Sequence, residues 1–215
     1  MSNEKTINIG INPDFAPFSN MNKGEPEGIL IDRISSIFEK SNISFKFIPI
    51  ELTKLTESLL AGHVDILLAM AKTEKRKEVF SFSKPIIVTG AAWFSLAKMP
   101  PLLDGEAPKS VITPTVGPLV AQIEALFPDI NLKTTENYDT ALQAVINGEA
   151  QAAALNWHVG RMMCKEKHPS LFHDPIAPFN IIPLSLVTTL KDPYSIMKRL
   201  QPHIPDDWAF DPATI

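Results

Sequence analysis

The sequence is poor in cysteine, since Cys164 is the only one among its 215 residues. A single thiol cannot form a disulfide within the chain, and it excludes a metal cluster built from cysteines alone. It leaves open whether the protein works in a reducing or an oxidising compartment.

An excess of basic charge is also missing, because 20 lysines and arginines face 24 acidic residues and leave a net charge of -4. The two signs are interspersed along the chain, with no basic patch suited to neutralising a phosphate backbone. Nucleic acid is therefore not an expected partner.

Long hydrophobic runs are absent as well. The longest apolar stretch, residues 86–97, is interrupted by Thr89, Gly90 and Ser95, and it is too short to span about 30 Å of hydrocarbon. The N-terminal residues MSNEK lack the apolar core and cleavage site of a signal peptide. The sequence alone leaves two alternatives open, a cytosolic protein or a mature chain whose export signal has been removed.

What the sequence does contain is the composition of an ordinary globular protein, with 45% hydrophobic and 20% charged residues. Strand-like and helix-like periodicities alternate along it, which predicts an α/β fold with mostly parallel sheets. Residues 12–27 are predicted to form a polar loop. The predicted strands are residues 6–11, 43–49, 64–69, 86–96, 110–112, 132–135, 152–155 and 181–190. The predicted helices are residues 29–40, 52–60, 74–79, 119–127, 141–146, 158–165 and 194–200.

Ligands of open parallel sheets bind beyond the carboxyl ends of the strands, where helix N-termini supply free N–H groups. The turn at residues 69–76 has this character, because it follows an apolar strand and Thr73 is suited to cap the next helix. Arg76 in the same turn carries a planar guanidinium that can hold a carboxylate bidentately. The alternative is a solvated charge among neighbouring lysines, which composition by itself favours.

The chain resembles the family 3 bacterial extracellular solute-binding proteins, the amino-acid-type binding proteins of ABC importers. The resemblance covers roughly residues 5–200, and it depends on the order and spacing of several short motifs rather than on any one. These motifs are Phe15-Ala16-Pro17-Phe18, Gly24 and Gly28 followed by Asp32, the junction at residues 60–65, Thr73 to Lys77, Phe82 to Pro85, and Ala141-Leu142 with Gly148 and Ala152.

The resemblance implies a two-lobe periplasmic-binding-protein-like (Venus flytrap) fold, in which each lobe is a mostly parallel sheet flanked by helices and two crossover strands join the lobes. The expected domains are residues 1–91 plus 188–215 for lobe 1 and residues 92–187 for lobe 2. The implied function is capture of a small carboxylate-bearing solute in an interlobe cleft and delivery to the membrane permease of an ABC importer. A periplasmic or extracytoplasmic location, a monomer and no cofactor are expected.

The resemblance also implies roles for individual residues. Arg76 grips the carboxylate of the ligand, and Asn156 occupies the position of the family's ammonium-binding aspartate. Backbone groups of residues 69–71 lie beside the carboxylate, Phe15 and Phe18 pack on the body of the ligand, and Thr115 closes over it. The complete expected set of ligand-binding residues is Asp14, Phe15, Phe18, Leu52, Ala69, Met70, Ala71, Arg76, Thr113, Thr115, Asn156 and Trp157.

Two departures from the family pattern bear on the ligand. Asn156 is a neutral amide that supplies no charge to an ammonium group, and a charge-assisted hydrogen bond is roughly twice as strong as a neutral one. Reduced affinity for a simple α-amino acid is therefore expected. Leu52 stands where the family often has an aromatic residue, which removes one stacking wall.

Two further functions remain as alternatives. The same fold serves as the extracellular sensing part of some receptor kinases. Some relatives are enzymes that dehydrate cyclohexadienyl acids with an acidic residue as general acid, but no carboxylate follows Asn156 before Glu166. Asp14 is the remaining candidate for such an acid, although its loop position is typical of a turn residue. Neither a catalytic residue nor a metal site is expected, because the histidines lack metal-ligand spacing.

Overall fold

The structure, a computed structural model, describes residues 5–102, 106–206 and 208. Helices and strands alternate along the chain, as the sequence predicts. The strands are β1 (Ile7–Ile11), β2 (Asp14–Phe15), β3 (Ser19–Asn22), β4 (Glu25–Glu27), β5 (Phe45–Pro49), β6 (Ile66–Ala71), β7 (Phe80–Ser95), β8 (Ser110–Pro114), β9 (Asn131–Thr135), β10 (Ala152–Asn156) and β11 (Asn180–Thr189). The helices are α1 (Ile29–Lys40), α2 (Leu55–Leu60), α3 (Glu74–Lys77), α4 (Leu119–Leu126), α5 (Tyr138–Ile146), α6 (Trp157–Lys167) and α7 (Ile196–Leu200). Short 3₁₀ helices cover Leu52–Lys54 and Gln201–His203.

The described residues form two compact units. Unit 1 contains the residues up to Val88 together with those from Pro183 onward, and unit 2 contains Thr89–Ile182. Strands β7 and β11 each contain one of the two boundaries, so the chain passes between the units twice.

In unit 1 the strands lie in the order β5-β1-β6-β11-β7. β1 pairs in parallel with both β5 and β6, whereas β11 runs antiparallel to β6. The alternating isoleucines Ile7, Ile9 and Ile11 of β1 are buried, which is the period-two pattern that makes this segment a strand. Helix α1 has the predicted bounds and buries the predicted apolar face, Leu30, Ile34, Ile37 and Phe38.

The prediction of a polar loop at residues 12–27 is wrong in part, because this segment contains the three-stranded sheet β2-β3-β4. The Glu27 carboxylate accepts hydrogen bonds from the side-chain amides of Asn20 and Asn22 at 2.7 and 2.9 Å. These bonds lower the pKa of Glu27, and the bond from Asn22 has the larger effect. Polar side-chain pairs stabilise this small sheet, so it lacks the apolar alternation by which strands are found in a sequence.

In unit 2 the strands lie in the order β7-β10-β8-β9. β10 runs antiparallel to β7 and parallel to β8, and β8 runs parallel to β9. Helix α6 packs closely on the sheet at Gly160, where a Cβ atom would lie 2.3 Å from Cζ of the fully buried Phe94. Only glycine fits this contact, since real Cβ atoms do not approach so closely.

Strand β7 begins at Phe80 rather than at residue 86 as predicted. Its first half contains the polar residues Ser81, Ser83 and Lys84, which hide the strand from an apolar pattern. The buried Ser83 is held in the sheet because its hydroxyl accepts a hydrogen bond from the Leu186 backbone N–H at 3.0 Å.

None of the helices in the described part of the chain combines the length and hydrophobicity that a bilayer span requires.

Candidate functional site

The turn after β6 is the most distinctive polar feature of unit 1. Strand β6 is buried along most of its length and ends at Ala71, and Thr73 is the N-cap of α3 as predicted. The Thr73 hydroxyl accepts from the Arg76 backbone N–H at 3.3 Å. The Arg76 side chain turns back, and its Nη1 donates to the Ala71 carbonyl oxygen at 2.8 Å. The guanidinium is thereby fixed at the carboxyl end of a buried strand.

Arg76 is half-buried, and burial lowers the pKa of its guanidinium. An arginine starts from a pKa so high that it remains a cation at any physiological pH. Within the described residues, no carboxylate forms an ion pair with this guanidinium, whereas the neighbouring Lys77 pairs with Glu74. A partly desolvated cation without a protein anion is suited to hold an anionic group from outside the chain.

The residues of β6 expected beside the carboxylate directly precede the turn that leads to Arg76. Ala69 is half-buried, whereas Met70 and Ala71 are buried and pair with Ser185 and Leu184 of β11. Ala71 contacts the Arg76 side chain directly through its carbonyl oxygen. The expectation that these backbone groups contact a ligand stays a prediction.

The loop at residues 14–18 carries the expected aromatic contacts. Phe15 is half-buried, and its ring lies 5.0 Å from the ring of Phe18, measured between centroids. Phe18 is fully buried, so we assign it the support of Phe15 rather than the direct ligand contact expected from sequence. Asp14 is exposed in β2, and its backbone N–H donates to the side-chain oxygen of Asn12 at 3.0 Å.

The remaining expected residue of unit 1, Leu52, opens the 3₁₀ helix Leu52–Lys54 and is 39% exposed. Exposure of the side chain alone does not assign it to a ligand site. Its place in a ligand site therefore stays a prediction.

The hydroxyl groups of both expected threonines of unit 2 donate hydrogen bonds to backbone carbonyl oxygens of the protein. Thr113 is fully buried at the end of β8, and its hydroxyl donates to the Ala154 carbonyl oxygen at 2.8 Å. This bond ties β8 to β10, so the Thr113 side chain is structural rather than the ligand contact expected from sequence. Thr115 is exposed, and both its N–H and its hydroxyl donate to the Thr135 carbonyl oxygen, at 2.9 and 3.0 Å.

Asn156 ends β10 and is the N-cap of α6. Its side-chain oxygen accepts from the backbone N–H groups of His158 and Val159 at 3.1 and 3.3 Å. The same oxygen accepts from the Thr89 hydroxyl at 3.1 Å, and the Thr89 oxygen lies 2.8 Å from Nδ1 of His158. The buried amide thus has a structural role that its sequence position alone does not show.

Trp157 follows Asn156 but is buried, and its indole Nε1 donates to the Pro175 carbonyl oxygen at 3.0 Å. The guanidinium of Arg161 lies 5.4 Å from the centre of the indole ring and forms a bidentate ion pair with Asp174. The structure places Trp157 in packing that holds residues 174–175. Its expected contact with a ligand stays a prediction.

Sequence reasoning missed Thr89 as a partner of this cap. The signal that could have found it is a polar residue inside the apolar stretch at residues 86–97. A buried hydroxyl needs a hydrogen-bond partner, so such a residue predicts a second buried polar group beside it.

Burial also raises the pKa of two side chains in unit 2. It raises the pKa of Tyr138 to about 12 and that of the Cys164 thiol to about 12. Thiolate is therefore scarce at neutral pH, and Cys164 is unsuited to act as a nucleophile. Among the described residues, no group of three or more His, Cys, Asp or Glu side chains could hold a metal ion.

Replacing Thr73 by Ala is expected to destabilise the turn that positions Arg76. The variant loses the side-chain acceptor for an N–H of α3, which costs about 1 kcal/mol for a typical N-cap. The free energy of unfolding measured in urea should fall by this amount, and Thr73→Ser, which keeps the hydroxyl, should restore it. Equal stability of the Ala variant and the wild type would contradict the capping role.

A family model described as bacterial extracellular solute-binding proteins, family 3, matches residues 7–163. The chain belongs to this family. Membership confirms the resemblance inferred from sequence and supports a ligand-binding role. The comparison with curated proteins finds no match.

Solved structures that share the family 3 fold include both sensing and amino-acid-binding domains. The periplasmic VFT2 domain of BvgS from Bordetella pertussis is 18% identical with a TM-score of 0.82, covering 97% of this chain and 92% of that one. A histidine kinase sensor domain with similarity to periplasmic binding proteins is 19% identical with a TM-score of 0.81, covering 95% and 90%. An ancestral amino acid-binding protein, described as a precursor of cyclohexadienyl dehydratase, is 20% identical with a TM-score of 0.74, covering 94% and 87%. These likenesses confirm the predicted α/β periplasmic-binding-protein-like (Venus flytrap) fold.

Proposed function

We propose that this family 3 protein captures a small carboxylate-bearing molecule, an amino acid or a related compound, and delivers it to the membrane permease of an ABC importer. The observation that carries the proposal is Arg76. Its guanidinium is half-buried and anchored on Ala71, and within the described residues it has no carboxylate partner. A bound carboxylate would supply that missing charge in a bidentate geometry.

The other proposed ligand contacts are made by residues that the family resemblance predicts in each unit. In unit 1, the half-buried Phe15 offers an aromatic surface and is backed by the buried Phe18. In unit 2, the Asn156 amide takes the position of the family's ammonium-binding aspartate. The lobe boundaries near residues 91 and 187, a monomeric state and a periplasmic or extracytoplasmic location remain part of the proposal.

Sensing is the second candidate function, because one solved structure with this fold is described as a histidine kinase sensor domain. Both functions need the same carboxylate capture, and they differ in what the loaded protein contacts. The full-length gene product distinguishes them, since a receptor carries a membrane segment and a signalling domain in the same chain. A free-standing product encoded beside an ABC permease supports delivery.

We propose binding without catalysis. The Asn156 side chain has no acidic proton, and Asp14 is exposed and lies in unit 1. The likeness to a precursor of cyclohexadienyl dehydratase makes prephenate the appropriate substrate to test. Incubation with prephenate should release no product above the uncatalysed rate, and turnover that disappears in Asp14→Asn would contradict the proposal.

Ligand capture is tested by thermal unfolding in the presence of matched small molecules. The panel contains L-alanine, L-glutamate, L-phenylalanine, their 2-oxo analogues, and for each acid the carboxamide at C1, as a control that lacks the carboxylate next to the amino or oxo group. Because a ligand stabilises the state that binds it, by about 2.7 kcal/mol at 100 times its Kd, at least one acid should raise the Tm. Its carboxamide should leave the Tm unchanged. A carboxamide that raises the Tm as much as its acid, or a panel without effect, would contradict carboxylate capture.

A further inference from the structure

The turn that carries Arg76 contains more positive charge than a single carboxylate neutralises. Residues 72–78 include four cationic and two acidic side chains, which leaves an excess of two positive charges in a chain whose net charge is -4. Glu74 forms an ion pair with Lys77, so the excess belongs to the other side chains of the turn. Clustered charge of one sign attracts the opposite sign, and this turn therefore favours a ligand with more than one negative charge.

Lys72 is the cation that lies next to the strand end on which Arg76 is anchored. Arg76 Nη1 donates to the Ala71 carbonyl oxygen at 2.8 Å, and Lys72 is the next residue in the chain. Standard peptide dimensions then place Nη1 within about 6 Å of the Lys72 Cα atom. Because the lysine ammonium sits at the end of a flexible four-carbon stem, the two cations can contact two carboxylates of one small molecule.

Phe82 orients the Lys72 ammonium without neutralising it. Lys72 Nζ lies 6.0 Å from the centre of the Phe82 ring, and this half-buried ring packs against the core cluster that contains Met70. The face of an aromatic ring attracts a cation through its quadrupole but carries no net charge. Among the residues that the structure describes, no carboxylate forms an ion pair with Lys72. The ammonium therefore keeps its full charge for an anion from outside the chain.

We propose that Lys72 determines specificity and that this protein selects dicarboxylates, small molecules with two carboxylates on a short carbon chain. In this assignment Arg76 holds one carboxylate bidentately and the Lys72 ammonium donates to the other. The proposal rests on the proposed function, because it takes the carboxylate on Arg76 as given. Both cations and Phe82 belong to unit 1, so the assignment needs no residue of unit 2.

The wild-type test is calorimetric titration with three pairs that match in size and differ by one negative charge: L-glutamate and L-glutamine, L-aspartate and L-asparagine, glutarate and its monoamide. The titrations are made at low ionic strength, where exposed charges are least screened. In every pair with measurable binding, the dicarboxylate should bind about threefold or more tightly than its monoamide, the size of a favourable ion pair at an exposed lysine. Monoamides that bind as tightly as the dicarboxylates, or more tightly, overturn the inference.

The variant Lys72→Met tests the ammonium itself. Methionine keeps an unbranched stem that can pack on Phe82 but carries no charge. The preference for the dicarboxylate should fall below about twofold, because the exposed ion pair is lost. Lys75→Met is the matched control, since Lys75 is exposed in the same turn, and it should keep the wild-type preference.

Two results with these variants would overturn the role of Lys72. One is a Lys72→Met protein that unfolds at the wild-type temperature and keeps the full preference. The other is an equal loss of preference in Lys72→Met and Lys75→Met, which would mean that the general positive charge of the turn, and not a specific contact, selects the dicarboxylate.

The Arg76→Ala variant separates this inference from the proposed function. If monoamides bind as tightly as dicarboxylates and Arg76→Ala abolishes the binding of both, carboxylate capture holds and the dicarboxylate assignment is wrong. If none of these compounds binds but a monocarboxylate of the thermal-unfolding panel does, the assignment is again wrong and capture holds. If no acid of either set binds, both the proposed function and the inference fail.

Discussion

Replacing Arg76 by Ala is expected to weaken binding of the captured acid by about 2–5 kcal/mol, the usual cost of removing one partner of a buried charged pair. The variant removes the guanidinium that β6 and α3 fix at the end of a buried strand. The carboxylate would then give up its hydration without a charged partner in exchange. Calorimetric titration with the tightest acid of the panel measures the loss.

Two matched variants make the Arg76 result specific. Lys75 is exposed in the same helix, so Lys75→Ala removes a positive charge beside the site and should change the binding free energy by less than about 1 kcal/mol. Arg76→Lys keeps the charge but loses the planar fork, and it should give an intermediate loss. Equal losses for Lys75→Ala and Arg76→Ala would mean that general positive charge, and not a specific contact, attracts the acid.

Replacing Gly28 by Ala is expected to lower the free energy of unfolding by about 2–5 kcal/mol, by adding backbone strain to steric overlap. Gly28 has φ of +129°, and a Cβ atom there would lie 2.5 Å from the Phe18 carbonyl oxygen. That oxygen accepts from the Leu30 N–H at 3.0 Å and so joins the start of α1 to the loop that carries Phe15. The variant should therefore weaken acid binding as well as stability.

Gly24→Ala is the control for the Gly28 prediction. Gly24 also has a positive φ, +90°, but a Cβ atom there would meet nothing within 4 Å. Its cost should be limited to backbone strain, about 1–2 kcal/mol, with acid binding unchanged. Denaturation in urea measures both variants, and a Gly28→Ala protein no less stable than Gly24→Ala would contradict the close contact with Phe18.

The elements found from sequence are those whose apolar pattern is strong. Helix α1 begins and ends at the predicted residues because its buried side chains recur with helical spacing and continue for twelve residues. The sheet β2-β3-β4 was missed because amide and carboxylate side chains pair across it instead of apolar ones. The first half of β7 was missed because Ser83 and Lys84 interrupt the pattern.

In the candidate site, too, features built from sequence neighbours were predictable and features built from distant residues were not. The Arg76 turn was predictable because the strand, the Thr73 cap and the arginine are neighbours in sequence. The family resemblance led to Asn156, but it did not show that the amide oxygen is occupied. That fact depends on Thr89, which is 67 residues away in the chain. Contacts of this range are set by the packing of β7 against β10 and are not visible in local spacing.

The burial of Phe18 and Thr113 could not be deduced from residue type either. An aromatic residue or a threonine beside a strand end is compatible with a ligand contact or with the core. The structure places both side chains in the core, since both are fully buried. Phe15, only half-buried, remains the aromatic side chain of that loop that can meet a ligand.

The most direct test of carboxylate capture by Arg76 is a crystal structure of the protein with the tightest acid of the panel. The account predicts both carboxylate oxygens within about 2.7–3.2 Å of guanidinium nitrogens of Arg76, the range of charge-assisted hydrogen bonds. A carboxylate bound elsewhere, with the Arg76 side chain in contact only with water or with a protein carboxylate, would contradict it.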